Sequence, residues 1–194
     1  EDGIRDLVRS RGLGDVYKRQ DRAYRGGRSI DDDAWQLERG QRYGMALFDM
    51  HKPVFAQVHG YYLAGGTDIA LLCDMVIAAD DAVFGFPPAR DLGALPNNMW
   101  LYNVGPQWAK RLTLTGDTVT GSEAQTIGLI LKSVPSEYLE REVEGLTARM
   151  AHIDPDLLSA NKRIINTGLE LMGARTLQRM AAENDVRGLQ LFRT

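Results

Sequence analysis

The stretch His59–Asp74, HGYYLAGGTDIALLCD, decides how the rest of the chain is read. A tyrosine-bearing run enters the adjacent glycines Gly65 and Gly66, and an apolar run of helical character follows them. One carboxylate, Asp68, stands three residues after Gly65. Just upstream, PVFAQV (Pro53–Val58) is a short β-rich run ending in His59-Gly60, which predicts a strand. A strand passing through glycines into a helix leaves unpaired backbone N–H groups at the helix start. Those donors, backed by the positive end of the helix dipole, hold negative charge. Glycine there lets a ligand approach the backbone and permits unusual dihedrals. With a carbonyl oxygen in place, the N–H of Gly65 would stabilise an enolate or tetrahedral oxyanion, a donor typically worth about 2.7–4 kcal/mol of barrier. On this stretch alone a plainer alternative stands, in which the glycine pair allows close packing and Asp68 merely complements the dipole.

Working outward, MVIAA (Met75–Ala79) and AVFGF (Ala82–Phe86) read as two short buried strands split by the turn Asp80-Asp81. The order strand, helix, strand, strand predicts an α/β layer architecture. Upstream, the run from Asp31 to Met50 opens with acidic residues suited to a helix N-terminus, and Leu37, Gly44, Met45 and Phe48 fall near one face. The second half is mainly helical. A helix is expected from about Pro106 and closes at Gly116, and Ser122 with Gln125 has the spacing of a capping box. Asp154 is a good N-cap with Pro155 at the first helical position. Further helices are expected over about Ser136–Ala151 and Ala174–Arg187. No internal repeat or low-complexity segment interrupts this order.

At 194 residues the chain is long enough for one domain with a sizeable core, or a small domain with a helical appendage. Its 44% hydrophobic and 25% charged residues are ordinary for a soluble protein. A net charge of −3, with no basic stripe, argues against a nucleic-acid partner. The single cysteine, Cys73, excludes an internal disulfide framework and reads as a core residue rather than a nucleophile. No run approaches the ~18 apolar residues of a membrane span. No signal-peptide pattern is visible, so a cytoplasmic location without membrane partners is expected. Residues 1–20 lack a sustained apolar period, and DVYKRQ (Asp15–Gln20) resembles the translation of a transposon end used in preparing sequencing libraries. They are set aside as a non-native segment, ahead of a fold expected to be truncated at its N-terminal side.

The longer run Lys52–Pro87, KPVFAQVHGYYLAGGTDIALLCDMVIAADDAVFGFP, closely resembles the central signature of the enoyl-CoA hydratase/isomerase family, the crotonase superfamily. LTGD at 114–117 and EAQTIGLI at 123–130 resemble its next blocks. The specific resemblance covers Met50 to Val134, and a looser one runs from Asp31 to the end. It implies an α/β fold: a crotonase-like spiral of β-β-α units over 21–134, followed by an α-helical trimerisation region over 135–194. It implies an acyl-CoA thioester substrate, no metal and no cofactor beyond the coenzyme A of the substrate itself, and a homotrimer or dimer of trimers. By position Gly65 is the donor of the second oxyanion N–H and Asp68 the acid/base carboxylate. Leu63, Ala64, Gly66, Pro87, Pro88 and Asp91 are the implied substrate contacts.

The chain also departs from the family pattern. Hydratases use two glutamates to hold and activate a water; the first falls at Asp68 and the second at Pro88, which cannot transfer a proton. The first oxyanion donor normally lies on an "AGAD"-like loop, and nothing between Asp21 and Asp49 matches it. The glycine-rich stretch that follows in hydratases is replaced by NNMWLY (Asn97–Tyr102). Hydration, double-bond isomerisation and C–C or thioester cleavage all share the oxyanion step, so the reaction class stays open. The alternative is a non-catalytic CoA-thioester-binding or oligomerising family member, or an inactive fragment. Arg90 with Asp91 is expected to form a surface ion pair, and Trp35, Trp100 and Trp108 to lie in the core or at subunit contacts. Lys110 and Arg111 are read either as CoA-phosphate contacts or as an exposed helix face.

Overall fold

The computed structural model describes residues 30–90, 93–94 and 97–191. The segment 1–20, expected to be non-native, lies outside the described residues. The chain opens with helix α1 (Ile30–Asp49), whose Met45 and Phe48 enter the core while its charged side faces solvent. It then runs β1 (Phe55–Val58), β2 (Tyr61–Leu63), α2 (Gly65–Leu72), β3 (Met75–Ala79) and β4 (Val83–Gly85). A 3-10 turn (Pro87–Arg90), α3 (Trp100–Thr115), β5 (Thr118–Thr120), α4 (Gly121–Thr126) and β6 (Lys132–Val134) follow. Three helices end the described chain: α5 (Leu139–Met150), α6 (Pro155–Leu171) and α7 (Ala174–Leu191).

The strands of the described residues divide between two three-stranded sheets, ordered β1-β3-β6 and β2-β4-β5. Consecutive strands from β1 to β4 therefore alternate between sheets, and each β-β pair contributes one strand to each. β1 and β3 pair in parallel from Phe55↔Met75 to Val58↔Ala78, while β2 and β4 pair in parallel from Tyr61↔Val83 to Leu63↔Gly85. Parallel neighbours need a crossover, and α2 supplies it for both pairs at once. The result is one turn of a β-β-α spiral. Gly60, at φ 69°, turns the chain from the first sheet into the second, and its carbonyl accepts from Val83 N at 2.8 Å. At the next strand exchange, Ala82 N donates to Ala79 O at 3.0 Å around the Asp80-Asp81 turn.

Between the sheets and helices lie the fully buried Val58, Ile77, Phe84, Trp100, Leu112 and Leu129. Gly121 sits where the chain passes closest to its neighbour: a Cβ there would stand 2.1 Å from Ala79 O. Helix α3 begins at Trp100, upstream of the expected Pro106, because Gly105 (φ 71°, ψ 175°) kinks it and Pro106 restarts it in the first-turn position that proline tolerates. Gly116 closes α3 in the left-handed conformation, as its position after LT predicts. Asp154 caps α6, accepting from Asp156 N and Leu157 N at 2.9 and 3.3 Å. The capping box of α4 is not Ser122–Gln125 but Thr120–Glu123. The helix starts at the end of β5, and Glu123 reaches back to Thr120 N at 2.8 Å. Gln125 instead accepts from Ser133 N. Strands β2, β5 and β6 are too short for any alternation to announce them in sequence.

Candidate functional site

The junction of β2 with α2 is built from three locks. Ala64 holds φ 52° and ψ −121°, a conformation that L residues other than glycine seldom adopt. Its N–H donates to Gly85 O at 2.9 Å, and its carbonyl accepts the first intrahelical bond, from Asp68 N, at 3.0 Å. Thr67, wholly buried, sets its hydroxyl against Tyr62 O and within 3.2 Å of Gly85 O, while Gly85 N donates back to it at 3.3 Å. The hydroxyl thus ties β2, β4 and the first turn of α2 together. The N–H groups of Gly65, Gly66 and Thr67 precede the first intrahelical bond, so they are the donors a helix start leaves for an anion. A Cβ on Gly66 would meet the Tyr62 ring only at 3.6 Å, an ordinary contact, so close packing does not explain the second glycine.

Leu63 and Gly85 are register partners at the ends of their strands. The junction Leu63–Gly66 and the half-buried turn carrying Pro87 and Pro88 accordingly emerge side by side. Asp91 lies outside the described residues. Arg90 does not point toward this junction: its Nε donates to Thr115 O at 3.0 Å and its Nη2 lies 3.5 Å from Asp117. Tyr61 is exposed, whereas Tyr62 packs against Phe84 with ring centroids 6.3 Å apart.

Asp68 turns inward from the same helical turn and is only 6% exposed. Burial pushes its carboxyl up to about 8; the Trp100 indole opposes the shift and the charge of Asp185 adds to it. The indole does not complete a hydrogen bond, because Asp68 Oδ1 and Trp100 Nε1 are both buried without a partner. Asp185 comes from α7, far along the chain, and is itself 7% exposed. Burial raises it to about 6, against the opposing N–H of Ala94. The segment between them joins both helices: Asn97 Nδ2 donates to Asp68 O at 3.5 Å, and Asn98 N donates to Gln178 Oε1 on α7 at 2.8 Å. Sequence reasoning missed Asn97, Gln178 and Asp185. Two of them carried a signal, since Gln178 and Asp185 fall seven apart on the helix face that also bears the buried Ala174, Ala181, Ala182 and Val186.

Other candidates lie elsewhere. His51, His59 and His152 are exposed. Arg111 stacks over Trp108 at 5.0 Å, and Arg39 likewise covers the exposed Trp35 at 4.6 Å. Cys73 donates to Ile69 O, and burial beside Asp74 pushes its thiol up to about 11, so it is no nucleophile. Among the described residues no group of three His, Cys, Asp or Glu could hold a metal ion. None of their helices is long and apolar enough to cross a membrane. A surface groove of about 420 Å³, lined by Val134, Tyr138, Arg141 and Arg149 among others, is separate from this junction and holds no buried acid.

Known proteins share this arrangement of elements. A family model described as enoyl-CoA hydratase/isomerase matches residues 19–186. Crotonyl-CoA hydratase of Syntrophomonas wolfei is 35% identical over 154 residues, which cover 77% of this chain and 58% of that protein. A probable mitochondrial enoyl-CoA hydratase of Dictyostelium discoideum is 35% identical over 129 residues, covering 64% of this chain and 46% of that protein. A crystal structure of an enoyl-CoA hydratase from Mycobacterium smegmatis superposes with a TM-score of 0.81 at 34% identity, covering 91% of this chain and 60% of that one. The chain spans about half the length of the curated relatives it matches.

Proposed function

The chain belongs to the enoyl-CoA hydratase/isomerase family, and from that premise we propose that it acts on acyl-CoA thioesters by stabilising an enolate oxyanion at the start of α2. Gly65 donates its N–H to the thioester oxygen. Leu63, Ala64, Gly66, Pro87, Pro88 and, beyond the described residues, Asp91 form the surroundings of the acyl group. Asp68 is the acid/base group. The observation that carries this reading is its place: a buried carboxyl with one oxygen free of partners, in the same turn as the N–H groups that precede the first intrahelical bond. At neutral pH a carboxyl raised to about 8 holds its proton and can deliver it to carbon as the enolate collapses. Coenzyme A enters as part of the substrate, with no resident cofactor in the scheme.

A homotrimer or dimer of trimers fits the same reading. On α6 the side chains Leu157, Ile164, Ile165 and Leu171 form one exposed apolar stripe, a surface that a subunit contact would cover. The lone Cys73 suits a reducing, cytoplasmic setting.

A panel of 2-enoyl-CoA and saturated acyl-CoA thioesters tests the proposal, read by loss of the enoyl chromophore and by deuterium incorporation at C2 in heavy water. Turnover of at least one ester is expected, falling about 10²–10⁴-fold in Asp68→Asn. Equal rates for wild type and Asp68→Asn would remove Asp68 from the chemistry. Calorimetric binding without turnover of any ester would instead identify a thioester-binding member of the family.

A further inference from the structure

The buried polar cluster behind the β2–α2 junction contains more than Asp68. Among the described residues four side-chain atoms are buried without a hydrogen-bond partner: Asp68 Oδ1, Trp100 Nε1, Gln178 Nε2 and Asp185 Oδ1. All four side chains are more than nine-tenths buried. Buried polar groups are nearly always paired, so these orphans mark a site that a reacting group or ligand completes. Asp68 feels both Trp100 and Asp185, and the Asn97-Asn98 segment links Asp68 to Gln178. The set is also matched: two donors, an indole and an amide N–H, accompany two carboxyls.

Structural explanations fail for this pair. Two acids brought together out of water form no salt bridge, and among the described residues no cationic group is a cause of either carboxyl's shift. The one buried lysine among the described residues, Lys162, is committed to Asp74. On α7 itself Arg179 and Glu183 face each other at the surface. Helix α1, packed along α7, contributes one buried acid among its described side chains, Asp33, which has an interaction of its own. Carboxyls that feel each other's charge out of water favour a state in which one of them is neutral, and a pair holding a single proton is an acid and a base ready together.

The sequence position that carries the second carboxylate in hydratases is Pro88 here, and proline cannot serve. We propose that Asp185 supplies the second acid/base carboxylate of this site from α7, with the Trp100 and Gln178 N–H groups orienting the water held between it and Asp68. This rests on the acyl-CoA reading above. For a 2-enoyl thioester the step balances. The ionised carboxylate takes a proton from water as the oxygen bonds to C3. The π pair moves onto the thioester oxygen at Gly65 N–H, and the protonated carboxyl then delivers its proton to C2 as the carbonyl re-forms. One water is added, and the pair begins and ends with one proton.

Two measurements on the 194-residue chain test this. On whichever enoyl ester is turned over, Asp185→Asn is expected to lose at least about 100-fold in kcat with KM little changed, and one limb of the pH profile of kcat. Asp185→Glu is expected to recover part of both. An unchanged kcat, or a profile keeping both limbs, overturns the proposal. The second measurement needs no substrate: infrared spectra with ¹³C-labelled aspartate. Wild type at neutral pH should show a protonated-carboxyl band that disappears in Asp68→Asn and shifts in Asp185→Asn. If no ester is turned over, that band keeps the shared-proton pair while the acyl-CoA reading falls. A spectrum with both carboxylates ionised at neutral pH overturns the pair, even in an active protein.

Discussion

Lys162 Nζ stands 2.8 Å from Asp74 Oδ2, joining the middle of α6 to the loop between α2 and β3. The same ammonium donates to Leu47 O and Lys52 O at 3.3 and 3.1 Å, and Asp74 also accepts from Val54 N at 2.6 Å. The pair thus fixes the C-terminal helices onto the root of the strand that leads to the site. Both side chains are largely buried, at 7% and 17% exposure, so removing one leaves the other uncompensated. Lys162→Met is expected to cost about 3–5 kcal/mol. Arg175 makes a similar-looking contact to Asp49 and Glu170, but all three are about half exposed, and Arg175→Ala should cost less than about 1 kcal/mol. Urea denaturation of the two variants gives the comparison, and equal losses would contradict the assignment of burial as the cause.

Strain at the site gives the second prediction. Ala64 occupies φ 52°, where a side chain costs about 1–2 kcal/mol. The surrounding bonds to Gly85 and Asp68 over-determine that conformation. Ala64→Gly removes the Cβ penalty and concedes part of the gain to a freer unfolded chain. A net stabilisation of about 1 kcal/mol is expected, measurable as a higher denaturation midpoint, with the fold unchanged. Destabilisation by the glycine would show that the alanine conformation is unstrained.

Much of this was legible in the sequence, and the reasons are specific. The strand–glycine–helix order around Gly65 follows from β-rich PVFAQV, two adjacent glycines and an apolar run, all local signals. Asp154-Pro155 and Gly116 are likewise local, and the structure uses each where it stands. What escaped was non-local. Asp185 looks like one more acid in a charged helix until α7 folds against the segment after Pro88. Thr120 rather than Ser122 caps α4 because β5 ends there, and β5 is recognisable only through its pairing with β4.

Close backbone approach sets the third prediction. Gly121→Ala would place a methyl 2.1 Å from Ala79 O, and the obstacle is backbone of the central strand β3. The loss is expected to reach about 3 kcal/mol or more. Gly145, inside α5 with nothing within 4 Å of an added Cβ, is the control. There alanine should stabilise by up to about 1 kcal/mol through helix propensity. Thermal melts of the two variants should move in opposite directions; a shared direction would refute the packing argument.

The buried acids make stability fall as pH rises. Asp68 titrates near 8 in the fold, against 3.8 for an ordinary aspartate, and Asp185 near 6. Between those limits the native state holds protons that the unfolded chain has released, so unfolding free energy decreases with pH. The contribution is whole below about pH 4, and it is lost progressively up to about pH 8, with Asp185 acting only over the lower half of that window. Asp68→Asn keeps a neutral side chain in place and removes the larger part of the slope. Relative to wild type it should therefore be about equally stable near pH 4 and more stable by a few kcal/mol near pH 8, since one proton held through a pH unit is worth about 1.4 kcal/mol. Urea midpoints across this range measure the difference directly. A wild-type stability that rises from about pH 5 to about pH 8 would mean that Asp68 is ionised in the fold, and would take away its role as the proton donor.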